Sequence, residues 1–140
     1  MHIRPFDIDD EAAVVALWEQ CGLTRPWNDP HKDVSRKLKV QPELFLVGEE
    51  NAALVATVMA GYEGHRGWVN YLAVAPACRG RGFGRALMHR VEQALSALGC
   101  PKVSLLIRSS NADAMAFYRH LGYAQDEAVA FGKRLIHDHP

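Results

Sequence analysis

The stretch that most constrains this chain is Leu72-Ala73-Val74-Ala75-Pro76-Ala77-Cys78-Arg79-Gly80-Arg81-Gly82-Phe83-Gly84-Arg85-Ala86-Leu87. A strand-like run meets a turn dense in Gly and Arg, and the turn opens onto a helical pattern from about Gly82 to Leu98. The start of a helix leaves backbone N–H groups unpaired at the positive end of its dipole. Glycines let that backbone close on a bulky anion with no Cβ in the way. Arg79, Arg81 and Arg85 add charge and paired donors. Such a junction is a cradle for a phosphate or pyrophosphate. Two nucleotide motifs fail. A Walker loop ends in Gly-Lys-Ser/Thr, which is missing. A dinucleotide fingerprint needs a third glycine where Arg85 stands, and an acid where the next strand ends at Ile107-Arg108.

The rest of the chain supplies an α/β scaffold for this turn. A short strand is expected over His2 to Phe6. A helix follows, capped by Asp9 or Asp10, with Val14, Leu17, Trp18 and Cys21 on one face and Gly22 at its end. Asp29-Pro30 reads as an N-cap with Pro in the first helical position, opening a helix to about Leu38. The period then changes to that of strands: Leu44 to Val47, Leu54 to Ala60 and Trp68 to Val74. Their short connections predict antiparallel neighbours. One connection, Gly61 to Gly67, carries Glu63, His65 and Arg66. Lys102 to Ile107 reads as a strand buried on both faces. Asn111 to Leu121 is helical, and Val129 to Leu135 is expected to be a last strand.

No repeat or linker interrupts the 140 residues, which are read as one domain, residues 1–140. Lys plus Arg is 16 and Asp plus Glu is 16, so the basic surplus of a nonspecific nucleic-acid binder is missing. No apolar run is long enough to span a bilayer, and the polar N-terminus predicts no signal peptide. Cys21, Cys78 and Cys100 are odd in number and match no metal or redox spacing. They predict reduced thiols and a cytoplasmic protein. No metal site is expected.

Arg79-Gly80-Arg81-Gly82-Phe83-Gly84 resembles the Arg/Gln-x-x-Gly-x-Gly/Ala motif of the GNAT N-acetyltransferases. Asn111-Ala112-Asp113-Ala114-Met115-Ala116-Phe117-Tyr118-Arg119-His120-Leu121-Gly122-Tyr123 resembles that family's second signature, Asn-x-x-Ala-x-x-x-Tyr-x-x-x-Gly-Phe/Tyr. The likeness is strong from about Trp68 to Tyr123 and architectural before that. Arg25-Pro26-Trp27-Asn28-Asp29-Pro30 and Gly64-His65-Arg66-Gly67 resemble one small bacterial branch. The resemblance implies the GNAT fold, a single mixed central sheet of roughly six to seven strands flanked by about four helices.

It also implies a function: acetyl transfer from acetyl-coenzyme A, as co-substrate, to an amine of an unidentified acceptor, small molecule or protein. Arg79, Gly80, Arg81, Gly82, Phe83, Gly84 and Arg85 would hold the pyrophosphate. Leu72, Ala73 and Val74 would pair with the pantetheine arm, and Asn111 and Tyr118 would complete the coenzyme site. Tyr118 is implied as the acid that protonates the departing thiolate. In some members the base is a Glu at the position held here by Leu106. The nearest remaining candidates are Glu63 and His65. Trp27, Asn28, Glu63 and Tyr71 are the implied acceptor contacts. A non-catalytic acyl-coenzyme A-binding or protein-interaction module of the same fold is the alternative. Both monomer and homodimer remain open.

Overall fold

A computed structural model describes residues 1–139. The chain begins with strand β1 (His2–Pro5) and helices α1 (Glu11–Gln20) and α2 (Pro30–Lys37). Strands β2 (Phe45–Glu50), β3 (Ala53–Tyr62) and β4 (Gly67–Val74) follow. Helix α3 (Phe83–Ala97), strand β5 (Val103–Leu105) and helix α4 (Ala112–His120) complete the regular elements. The strands form one sheet in the order β1-β2-β3-β4-β5, antiparallel except for the parallel pair β4–β5. No helix among the described residues is long and apolar enough to cross a membrane.

Local chemistry explains the first elements. Asp7 caps a 3-10 turn over Ile8–Asp10, and the Asp10 carboxylate closes a capping box on the Asp7 amide. Helix α1 therefore starts at Glu11 without a side-chain cap of its own, in place of the expected Asp9 or Asp10 cap. Helix α2 starts as expected: the Asp29 carboxylate accepts from the amides of His31 and Lys32, and Pro30 occupies the first turn. Asn51 and Ala52 both have φ above +50°, which makes the two-residue hairpin joining β2 to β3.

The sheet is covered on both faces, which is why β3 and the first half of β2, Phe45 to Val47, are largely apolar. Leu87, Met88, Val91 and Leu95 of α3 pack with Leu46, Val58, Ala60 and Val69. On the other face Val14, Leu17, Trp18 and Val34 pack with Phe45, Val47, Met59 and Ala73. The Phe6 and Phe45 rings stack there at 4.4 Å.

Two expectations are corrected. The strand expected over Lys102 to Ile107 is only Val103–Leu105, half-buried, with Leu106 exposed at 72%. Its pairing with β4 stops at Val69–Leu105, because β4 bulges immediately beyond. The strand expected over Val129 to Leu135 does not form, so the sheet has five strands, fewer than the six to seven expected. Val129 and Phe131 are more than four-fifths exposed and meet no sheet edge. The tail instead follows its polar anchors to α2. Arg36 donates to both carboxylate oxygens of the buried Asp138, and the Asp29 amide donates to one of them.

Candidate active site

The site is organised by the bulge in β4. Thr57 pairs with Ala73 and Met59 with Asn70, so the single Val58 of β3 faces both Tyr71 and Leu72. Tyr71 takes φ +53° to make this fit. Its position is fixed from behind. The Trp18 indole stacks on the Tyr71 ring at 3.8 Å and donates to Thr57 Oγ1 (2.9 Å). Thr57 Oγ1 in turn donates to the Tyr71 carbonyl (2.9 Å). With β5 ending at Leu105, the edge of β4 from Asn70 to Val74 has no strand beside it. Leu72, Ala73 and Val74 therefore lie on an open wedge, with the chain from Leu106 to Asn111 on its far side.

The phosphate-type turn lies at the end of this wedge. Gly80 and Gly82 adopt φ of +79° and +81°, and α3 begins directly after. The first intrahelical bond there runs from the Ala86 amide to the Gly82 carbonyl (3.0 Å). The amides of Phe83, Gly84 and Arg85 thus precede the helical ladder, and no acid occupies the first turn. A Cβ built on Gly82 meets nothing within 4 Å, so the space above the turn is open. At Gly84 a Cβ would stand 3.2 Å from Phe117 Cζ, which is why α3 and α4 approach so closely. The three arginines differ. Arg81 is bidentate to Glu50 at 2.7 and 3.0 Å, an acid supplied by the β2–β3 hairpin. Arg79 donates to the Val74 carbonyl (3.2 Å). Arg85 is exposed.

A cavity of about 740 Å³ fills the wedge. It is lined by Tyr71, Leu72, Asn111 and Tyr118, and it extends to Trp27 and Asn28. Tyr118 is half-buried on α4, edge-on to Phe117 and Tyr123, and its hydroxyl has no hydrogen-bond partner among the described residues. Burial pushes its phenol up to about 12, so it is a protonated donor at neutral pH. Asn111 caps α4 through Oδ1 to the Ala114 amide (3.1 Å). Tyr71 donates to Asp33 Oδ2 at 2.6 Å. Burial first, then that hydrogen bond, holds the Tyr71 phenol well above its ordinary value.

Glu63 and His65 are not brought to this cavity. They lie in the exposed turn after β3, where the Glu63 carboxylate accepts from the amides of His65 (2.7 Å) and Arg66. Those two amides hold the Glu63 carboxyl below its ordinary value, opposite to what a base near neutrality needs. Beyond the residues expected from the sequence, Asp33, Arg36, Lys37, Arg25 and Arg108 also line the cavity. Asp33 and Arg36 share a face of α2 at i,i+3 spacing with an N-cap at Asp29, a signal present in the sequence.

A model described as the Acetyltransferase (GNAT) family matches residues 12–123. An acetyltransferase of Yersinia pestis (strain Pestoides F) is 50% identical over 138 residues, 99% of this chain and 98% of that protein. An acetyltransferase of Pectobacterium atrosepticum has the same identity and the same coverage of both chains. Among solved structures, Ard1 from Thermoplasma volcanium has the same fold. It matches with a TM-score of 0.79 at 22% identity, over 88% of this chain and 82% of that one. The cradle at Gly82, the wedge beside β4 and the full-length relatives agree: the chain belongs to the acetyltransferase (GNAT) family.

Proposed function

We propose that this chain is an acetyl-coenzyme A-dependent N-acetyltransferase in which Tyr118 is the general acid. The observation that carries this reading is the continuous cavity joining the open edge of β4, the free Tyr118 hydroxyl and the Trp27–Tyr71 side. A module that only sensed acyl-coenzyme A would have no use for room beyond the thioester.

The pyrophosphate rests on the amides of Phe83, Gly84 and Arg85, with Arg79 and Arg85 nearby to balance its charge. The pantetheine arm lies along Leu72, Ala73 and Val74, taking the place of a neighbouring strand. The amine arrives from the side of Trp27, Asn28 and Tyr71 and attacks the thioester carbonyl. As the C–S bond breaks, Tyr118 gives its proton to the departing sulfur. An alkylammonium must first lose a proton, its pKa being about 10. Asp33 is the single carboxylate lining the cavity among the described residues, and both its oxygens already accept, from Tyr71 and Arg36. The proton therefore leaves to water in the open cavity, and the acidic limb of the rate profile follows the acceptor's own pKa.

The test is release of free thiol from acetyl-coenzyme A across an amine panel, with the parent and Tyr118→Phe. The phenol oxygen has no partner in the fold, so its removal leaves stability within about 0.5 kcal/mol. It lowers kcat on the order of 10²-fold with coenzyme affinity retained. Full kcat in Tyr118→Phe would assign the residue to packing alone.

A further inference from the structure

Resting on that transferase reading, we propose that the acceptor is a small amine that carries a carboxylate, and that Arg108, held over the Trp27 ring, recognises it. Among the described residues, the charged groups lining the cavity are Arg25, Arg36, Lys37 and Arg108, against the single carboxylate of Asp33. The whole chain has zero net charge, so this is a local concentration of cations.

The neutralised groups can be set aside. Arg36 is satisfied by Asp33 and Asp138. What remains makes no ion pair among the described residues, although Glu43 lies near enough to Lys37 to act on its charge. Arg25 donates only to the carbonyls of Gly22 and Thr24, and Lys37 only to that of Ala60. Arg108 has no hydrogen-bond acceptor among the described residues; its guanidinium stands 5.6 Å over the Trp27 ring. The pyrophosphate turn does not explain these charges, because none of residues 79–85 lines the cavity.

A guanidinium laid on an aromatic face keeps its edge donors free, and that fork matches a carboxylate with two parallel hydrogen bonds. The C-terminal tail adds one more cation: a shallower depression that shares Trp27 is lined by Lys133, beside Arg36 and Arg134, which both pair with Asp138. A polycationic acceptor would meet Arg25, Lys37 and Arg108 at once and be repelled. An acceptor with a negative group neutralises them while its amine faces the thioester.

The experiment uses the protein saturated with coenzyme A, which supports no turnover. Binding of a panel of free amino acids is measured by calorimetry against their primary amides and against spermidine. At least one acid is expected to bind roughly tenfold or more tighter than its amide, with spermidine the weakest. Arg108→Gln is expected to erase the difference between acid and amide and to leave coenzyme A affinity unchanged. Equal binding of acids and amides, tighter binding of spermidine, no binding by any acid, or an unchanged preference in Arg108→Gln overturns the proposal. The comparison of acid with amide on the parent protein stands even if the variant misfolds. Thiol release from acetyl-coenzyme A is read in parallel. Acids that bind through Arg108 without releasing thiol leave the carboxylate site standing and remove the transferase reading.

Discussion

Replacing Tyr71 by Phe isolates one hydrogen bond, and the structure sets its size. The ring stays, stacked on Trp18 at 3.8 Å, and the backbone bulge stays, because Thr57 holds the Tyr71 carbonyl rather than its side chain. What is lost is the 2.6 Å bond from the phenol to Asp33 Oδ2. Hydrogen bonds to charged groups contribute about 1.5–3 kcal/mol. Asp33 retains Arg36 and is 22% exposed, so water compensates part of the loss, and about 1–2 kcal/mol is expected. For a chain of this size that lowers Tm by roughly 3–8 °C. The pH dependence gives a second handle. The Tyr71 phenol titrates higher folded than unfolded, because of burial and Asp33. Its contribution is therefore fully present below the unfolded value of about 10 and fades as pH rises beyond it. Urea unfolding of parent and Tyr71→Phe at pH 8 and pH 11 should show a gap that narrows at the higher pH. Equal stability at pH 8 would mean that the phenol exchanges its bond freely with water. A gap unchanged at pH 11 would mean that the ring, not the hydroxyl, had been disturbed.

Gly82→Ala and Gly82→Val both force a side chain to φ +81°, and each should lose about 1–2 kcal/mol of stability. Only the bulkier one should also lose about tenfold or more in calorimetric affinity for acetyl-coenzyme A; equal affinity in Gly82→Val would move the phosphate site elsewhere. Glu63→Gln and His65→Gln should leave the acidic limb of the kcat/KM profile in place, since neither residue lines the cavity. A displaced limb in either variant would return that turn to the catalytic site.

The parts of this molecule that were legible in the sequence are those whose cause is local. The Gly82–Phe83 helix start, the Asp29-Pro30 cap and the Asn111 cap each need only a few adjacent residues to be recognised. The strand order of β2, β3 and β4 followed from short connections. The strand expected over Val129 to Leu135 failed for the opposite reason. Its apolar residues Val129, Ala130, Phe131 and Leu135 are real, but a strand exists only with a partner edge. Here the polar end of the tail finds Arg36, Lys32 and the Asp29 amide, more than 100 residues earlier, and the apolar residues are left exposed.

The wedge that makes the site shows the same limit at closer range. Nothing in Asn70-Tyr71-Leu72 announces a bulge, because Tyr is an ordinary strand residue and rarely takes positive φ. The strain at Tyr71 persists because groups from distant segments hold it: Trp18 from α1, Thr57 from β3 and Asp33 from α2. Each has its own packing role when read alone, and only the fold makes them one device. That device turns β4 away from β5, leaves the β4 edge unpaired and opens the cavity that Tyr118 faces. It also commits both Asp33 oxygens, one to Tyr71 and one to Arg36. The carboxylate that lines the cavity is thus committed to fixing the Tyr71 ring, and on the proposed reading the amine's deprotonation falls to solvent.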